Sequence, residues 1–132
     1  MQEHDVFLKK FQYHNALDSV LKKKNVEVTI SLLEELIDRN ALKLALINRS
    51  EEDLEPLLNF VLWKIRDPKT MNILLYVFNL LIDYYMVMYG KNENINNLFE
   101  KILQSIKEEI NFEKSLININ AKIDSINTIN NY

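Results

Sequence analysis

Apolar positions recur at helical spacing from one end of the chain to the other. Phe7, Phe11, Leu17 and Leu21, widened by Ala16 and Val20, predict a first helix over 6–22. Asn25 can cap a second helix over 26–39, whose stripe is Ile30, Leu33, Leu36 and Ile37. Asn40 suits a left-handed stop. A short third helix over 41–48 carries Leu42, Leu44, Ala45 and Ile47. Ser50 followed by Asp53 has the spacing of a capping box, and Glu51, Glu52 and Asp53 place negative charge where the helix dipole favours it. Pro56 is tolerated in a first turn and breaks a helix interior, so the main fourth helix is expected over 56–65. Asp67-Pro68 reads as a cap and first position for a fifth helix over 68–89, ended by Gly90. Apolar residues lie all round that helix, which predicts a central position.

After a polar loop at 91–94, no breaker occurs between 95 and 129. One stripe runs Ile95, Leu98, Phe99, Ile102, Ile106 and Ile110. A second runs Phe112, Leu116, Ile119, Ile123 and Ile126, with 4-3-4-3 spacing over about two heptads. The stripes fall out of phase near Asn111, where the helix must bend or change partner. The expected fold is all-α: a bundle of five to six helices over about 5–110, with a long C-terminal helix over about 95–129 that can project from it. No repeat of 20–50 residues points to a solenoid.

Composition agrees with this picture. One Gly and two Pro among 132 residues argue against sandwiches, barrels and phosphate-binding glycine loops. The absence of Cys excludes disulfides, thiolate metal sites and thiol nucleophiles. The net charge of -3 gives no global attraction to nucleic acid or to an anionic membrane. No basic segment followed by an apolar run opens the chain, so no signal peptide is expected. The most apolar stretch, 71–89, contains Asn72, Asn79 and Asp83, and a core helix is preferred to a membrane span.

Catalytic chemistry has little to stand on. His4 and His14 lie ten residues apart, which does not bring two ligands to one helix face, and no third ligand accompanies them. Glu34-Glu35 and Glu51-Glu52-Asp53 read as solvated faces. No catalytic, cofactor-binding or metal-binding residue is therefore assigned, and no cofactor, membrane or small-molecule substrate is expected. Lys9, Lys10, Lys22, Lys23 and Lys24 could contact phosphates in a sequence-independent, salt-sensitive way, with solvated helix ends as the plainer reading. Protein contact fits best. Large apolar side chains crowd the fourth and fifth helices, with Trp63, Tyr85 and Tyr89 as candidate contact residues. The stripe Phe112, Leu116, Ile119, Ile123 and Ile126 has no face of the bundle left to cover, and is expected to pack on a partner helix.

Several separated phrases also carry a family resemblance. They are FQYHNALD at 11–18, VTISLLEELIDR at 28–39 continuing through Ala41-Leu42 to Asn48-Arg49, LEPLLNF at 54–60, Asp67-Pro68, and LLIDYY at 80–85. In this order, over roughly 5–117, they resemble the C-terminal domain of the U-three small-nucleolar-RNA-associated protein fifteen family. The family often has Gly near Asn40-Ala41; Asn also adopts the left-handed conformation required there. The resemblance implies a nucleolar scaffold domain of the small-subunit processome, acting in ribosomal RNA processing coupled to its transcription. Its implied partners are helical C-terminal domains of sister UtpA subunits, with a homo-oligomer also open. Pre-ribosomal RNA would be contacted indirectly or through other domains. It further implies a WD-repeat propeller N-terminal to this domain, so the chain is expected to be part of a longer protein.

Overall fold

The computed structural model describes residues 2–89 and 91–110. Among them the fold is all-α. The elements are α1 (Glu3–Lys9), α2 (Tyr13–Lys23), α3 (Val26–Asp38), α4 (Leu42–Leu46), α5 (Glu51–Lys64), α6 (Met71–Tyr89) and α7 (93–110).

The expected first helix is in fact two. The chain reverses at Phe11, whose φ is 59°, and the reversal has the hydrogen bonds of a Schellman turn: Phe11 N–H to Leu8 O at 3.1 Å and Gln12 N–H to Phe7 O at 2.8 Å. The reversal folds α1 back against α2 and sends Leu8 into the core. A bulky residue in left-handed conformation costs about 1–2 kcal/mol, and the sequence shows neither Gly nor Asn to announce the turn. Phe11 is 73% exposed, so its side chain contributes little burial in return. Phe11→Gly is therefore expected to stabilise the domain by about 0.5–1 kcal/mol, the relieved strain less the added entropy of the unfolded chain; a Tm that does not rise would contradict this.

Three other helix ends follow caps or stops that the sequence shows, at Asn25, Asn40 and Ser50. The Asn25 side chain accepts from Val28 N–H at 3.1 Å. Asn40 takes φ 56°, and Ala41 N–H closes onto Leu36 O at 2.8 Å, so Asn fills the turn without Gly. Ser50 Oγ accepts from Asp53 N–H at 3.1 Å, and the helix begins there. Pro56 thus lies inside α5 instead of starting it. The ring removes the donor that would have reached the Glu52 carbonyl. Both residues are on the exposed side of α5, where water can serve that carbonyl.

Asp67-Pro68 likewise does not start α6 directly. Asp67 Oδ1 accepts from Lys69 N–H at 3.0 Å, and a turn occupies 68–70 before the helix begins at Met71. α7 begins at 93, inside the expected loop, because Asn92 caps it through Oδ1 to Ile95 N–H at 3.0 Å.

α6 by length and composition could cross a bilayer. In this fold Leu74, Val77 and Leu81 are fully buried, while Asn72, Tyr76, Asn79, Asp83 and Val87 form an exposed stripe. It therefore has a solvent face and is not enclosed on all sides.

The core runs from Leu8 to Ile102 and takes residues from every helix. α6 and α7 meet through Phe78 and Phe99, whose ring centroids are 5.6 Å apart. The far end of α7 is tied to the end of α5: Arg66 pairs with Glu108 at 2.9 Å and Glu109 at 3.5 Å. Gln104, then the Arg66 charge, hold the Glu108 carboxyl below the ordinary carboxylate range.

Candidate functional site

Two features stand out once the core is assembled. One is a buried polar lock, and the other is an open apolar groove beside it.

The lock centres on Arg49, in the short link between α4 and α5. Its side chain is fully buried. Asn48, with φ 57°, turns the chain so that the guanidinium points inward. Nη1 meets Asp18 Oδ1 on α2 at 2.6 Å and Asp53 O on α5 at 3.3 Å. Nε and Nη2 reach Ala45 O at 3.1 and 2.9 Å. The Arg49 backbone N–H donates to the Tyr85 hydroxyl at 2.9 Å, and that hydroxyl donates to Leu46 O. One residue thus joins α2, α4, α5 and α6. A buried charge is tolerable only when its donors are met in this way.

Tyr85 was expected at a contact surface. It is 2% exposed and belongs to this lock, because its hydroxyl satisfies backbone groups at the end of α4 that no helix serves. Removing that oxygen takes away one hydrogen-bond partner from the Arg49 N–H and one from the Leu46 carbonyl. Tyr85→Phe is expected to cost about 1–3 kcal/mol in urea unfolding, and an unchanged midpoint would contradict the assignment.

Arg49 itself was not singled out as a site residue. No sequence signal separates it from the other two arginines, Arg39 and Arg66, which sit in exposed ion pairs.

The groove runs along the outer face of α5. Glu52, Glu55, Pro56, Asn59, Phe60 and Trp63 line one wall, and Leu21 and Lys24 at the end of α2 line the other. Its volume is about 720 Å³. Trp63 is 57% exposed, a large loss of possible burial for this side chain. Its ring is held by an edge contact with Phe60 at 6.2 Å and by Lys64 Nζ at 5.1 Å from its centroid. The site is therefore a preformed apolar wall with acidic residues toward the α5 N-terminus.

The five candidate phosphate contacts, Lys9, Lys10, Lys22, Lys23 and Lys24, are all exposed. They do not form one patch along the chain: Lys9 and Lys10 precede α2 and the other three end it, about 16 Å away along an 11-residue helix. Lys24 alone of them borders the groove. The Tyr89 side chain and the stripe Phe112, Leu116, Ile119, Ile123 and Ile126 lie outside the described residues. Glu35 is engaged by Arg39 at 2.7 Å, and Glu51, Glu52 and Asp53 form the first turn of α5. Among the described residues no group of three His, Asp or Glu side chains is placed to hold a metal ion.

The family model for the UTP15 C-terminal region matches residues 1–126. The chain belongs to the UTP15 C-terminal family. It is 34% identical over 130 residues to the Xenopus laevis U3 small nucleolar RNA-associated protein 15 homolog, a match covering 96% of this chain and 25% of that protein. Identity to the Schizosaccharomyces pombe U3 small nucleolar RNA-associated protein 15 is 33% over 110 residues, covering 83% of this chain and 22% of that protein. Identity to the Mus musculus homolog is 28%, with 96% of this chain and 25% of that protein covered. The chain thus spans about a quarter of the length of these curated relatives. The UTP15 C-terminal match reaches the last position of the 112–126 stripe.

Proposed function

We propose that this domain is a non-catalytic protein–protein docking module in ribosome biogenesis. It acts in the nucleolus, within the particle that processes small-subunit ribosomal RNA as it is transcribed. The biological setting rests on the printed names of its relatives, which tie them to U3 small nucleolar RNA. The mode of action rests on one observation above all: Trp63 stands exposed in a preformed apolar groove that a partner helix would fill. The 112–126 stripe supplies a second apolar face of helical spacing. Partners of matching chemistry are the helical domains of sister processome subunits. RNA would then be held through those partners or through other parts of the longer protein.

Affinity capture from nuclear extract, with and without ribonuclease, tests this reading. Recovery of processome subunits that survives ribonuclease is the expected result. Recovery abolished by ribonuclease would favour instead an RNA adaptor working through Lys22, Lys23 and Lys24, which sit exposed together at the end of α2. In that case Lys22/Lys23/Lys24→Ala would flatten the salt dependence of binding.

A further inference from the structure

The chemistry of the α5 groove changes from one end to the other, and that order limits what can fill it. Glu52, Glu55, Asn59 and Trp63 follow at helical spacing along one ridge of α5, a run of roughly 16 Å at 1.5 Å per residue. Toward the helix N-terminus the ridge is acidic. Glu52 and Glu55 are exposed, and among the described residues neither meets a cation. By contrast, Glu35 is paired with Arg39, Asp67 with Lys64, and Glu108 with Arg66. The helix dipole accounts for acid in the first turn, at Glu51, Glu52 and Asp53, but Glu55 lies beyond that turn.

Toward the other end the ridge turns aromatic and already carries its own cation. Lys64 Nζ lies 5.1 Å from the Trp63 ring centroid and pairs with Asp67 at 3.6 Å. A second cation brought to Trp63 would meet that charge, whereas an apolar side chain would cover the exposed ring. Lys24 is the only cation among the lining residues and stands on the opposite wall, so the α5 ridge keeps its acidic end. The groove therefore has a direction, with carboxylates first and the indole last. A nucleic acid would bring phosphates to those carboxylates, and like charge opposes it. A wholly apolar helix would fill the Trp63 end but would cover two carboxylates without pairing them.

We infer that the α5 groove receives a basic amphipathic helix of another protein. Its apolar side chains cover Trp63, and its Lys or Arg side chains, about two to three turns further along the same face, meet Glu55 and Glu52. The spacing follows from α5 itself, where Glu55 and Glu52 lie about 12 and 16 Å from Trp63 along the helix. Apolar contact supplies most of the affinity. The charge pairs set the register and turn away acidic helices of similar shape. This rests on the docking reading above and adds to it the chemistry of the partner's face.

Trp63 is the sole tryptophan, so its fluorescence and its quenching by acrylamide report the groove. The probes are two synthetic helical peptides of about four turns, each locked by a side-chain lactam on its solvent face because so short a helix is marginal alone. Both carry leucines along one face of the first two turns. One carries lysines on that face about eight and eleven residues after the first leucine, to match Glu55 and Glu52, and the other carries glutamates there. On the full chain at low ionic strength, the lysine peptide is expected to shield Trp63 and to bind roughly tenfold or more tightly than the glutamate peptide, with the gap closing as salt is added. Glu52→Gln/Glu55→Gln is expected to remove the preference with the fold kept. Glu52→Lys/Glu55→Lys is expected to reverse it, and tighter binding of the glutamate peptide to that variant shows that its groove is intact.

Three outcomes overturn the inference: neither peptide shields Trp63 at about 1 mM, the two peptides bind alike, or Trp63 is already shielded in the chain alone. In the last case sedimentation separates a second copy in the groove from another part of the same chain. Equal binding with Trp63 shielded by both peptides refutes the charge assignment and leaves the docking reading standing. A lysine-peptide preference in a chain that captures no processome subunit from extract does the reverse.

Discussion

Replacing Arg49 with Met is expected to cost the domain about 3 kcal/mol or more, the usual consequence of removing one partner from a buried ion pair. The side chain is fully enclosed, and its donors reach Asp18, Ala45 and Asp53 on three helices. Met keeps much of the aliphatic volume, so the loss reads the polar lock more than the packing. Asp18 remains 29% exposed and paired with His14 at 3.3 Å, which limits the penalty on its side. For that reason Asp18→Asn is expected to be milder than Arg49→Met, although it leaves the guanidinium without its carboxylate. A domain of this size has about 5–15 kcal/mol in all, so the loss is a large share of its stability. Urea unfolding followed by circular dichroism decides it. A midpoint shift worth less than about 1 kcal/mol would show that the lock contributes no more than a surface pair.

The second large effect concerns binding. Ile119→Asp, or Ile123→Asp, is expected to abolish partner capture while the bundle still folds. The described helices share one core from Leu8 to Ile102, which is the ground for expecting the bundle to fold in either variant. At a contact surface each would bury an unpaired carboxylate among apolar side chains, a cost large enough to remove a hot spot. Capture at the wild-type level, with the variants folded, would remove the stripe from the interface.

Much of this architecture was legible in the sequence, and the exceptions have physical causes. Asn25, Asn40, Ser50 and the 3.6-residue periodicity carry local information, and they gave the helix ends and the all-α fold. Phe11 was opaque because nothing local favours a left-handed aromatic; it is imposed by docking α1 on α2. Pro56 and Pro68 were misplaced because proline's position in a first turn depends on where the backbone is solvated, which is decided by packing. Tyr85 is a candidate contact residue by type, whereas its hydroxyl completes a backbone site 36 to 39 residues earlier. No spacing rule reaches that far. Trp63 could be named from composition, but the groove beside it needed α2 in place to supply Leu21 and Lys24.

Apolar contact at the α5 groove is the proposed means by which this member of the UTP15 C-terminal family holds a partner. Side-by-side capture with the wild-type chain and Trp63→Ala, from the same ribonuclease-treated nuclear extract, tests it most directly. Processome subunits recovered by the wild type are expected to be lost from Trp63→Ala at equal bait and equal folding. Equal recovery by both chains would contradict it.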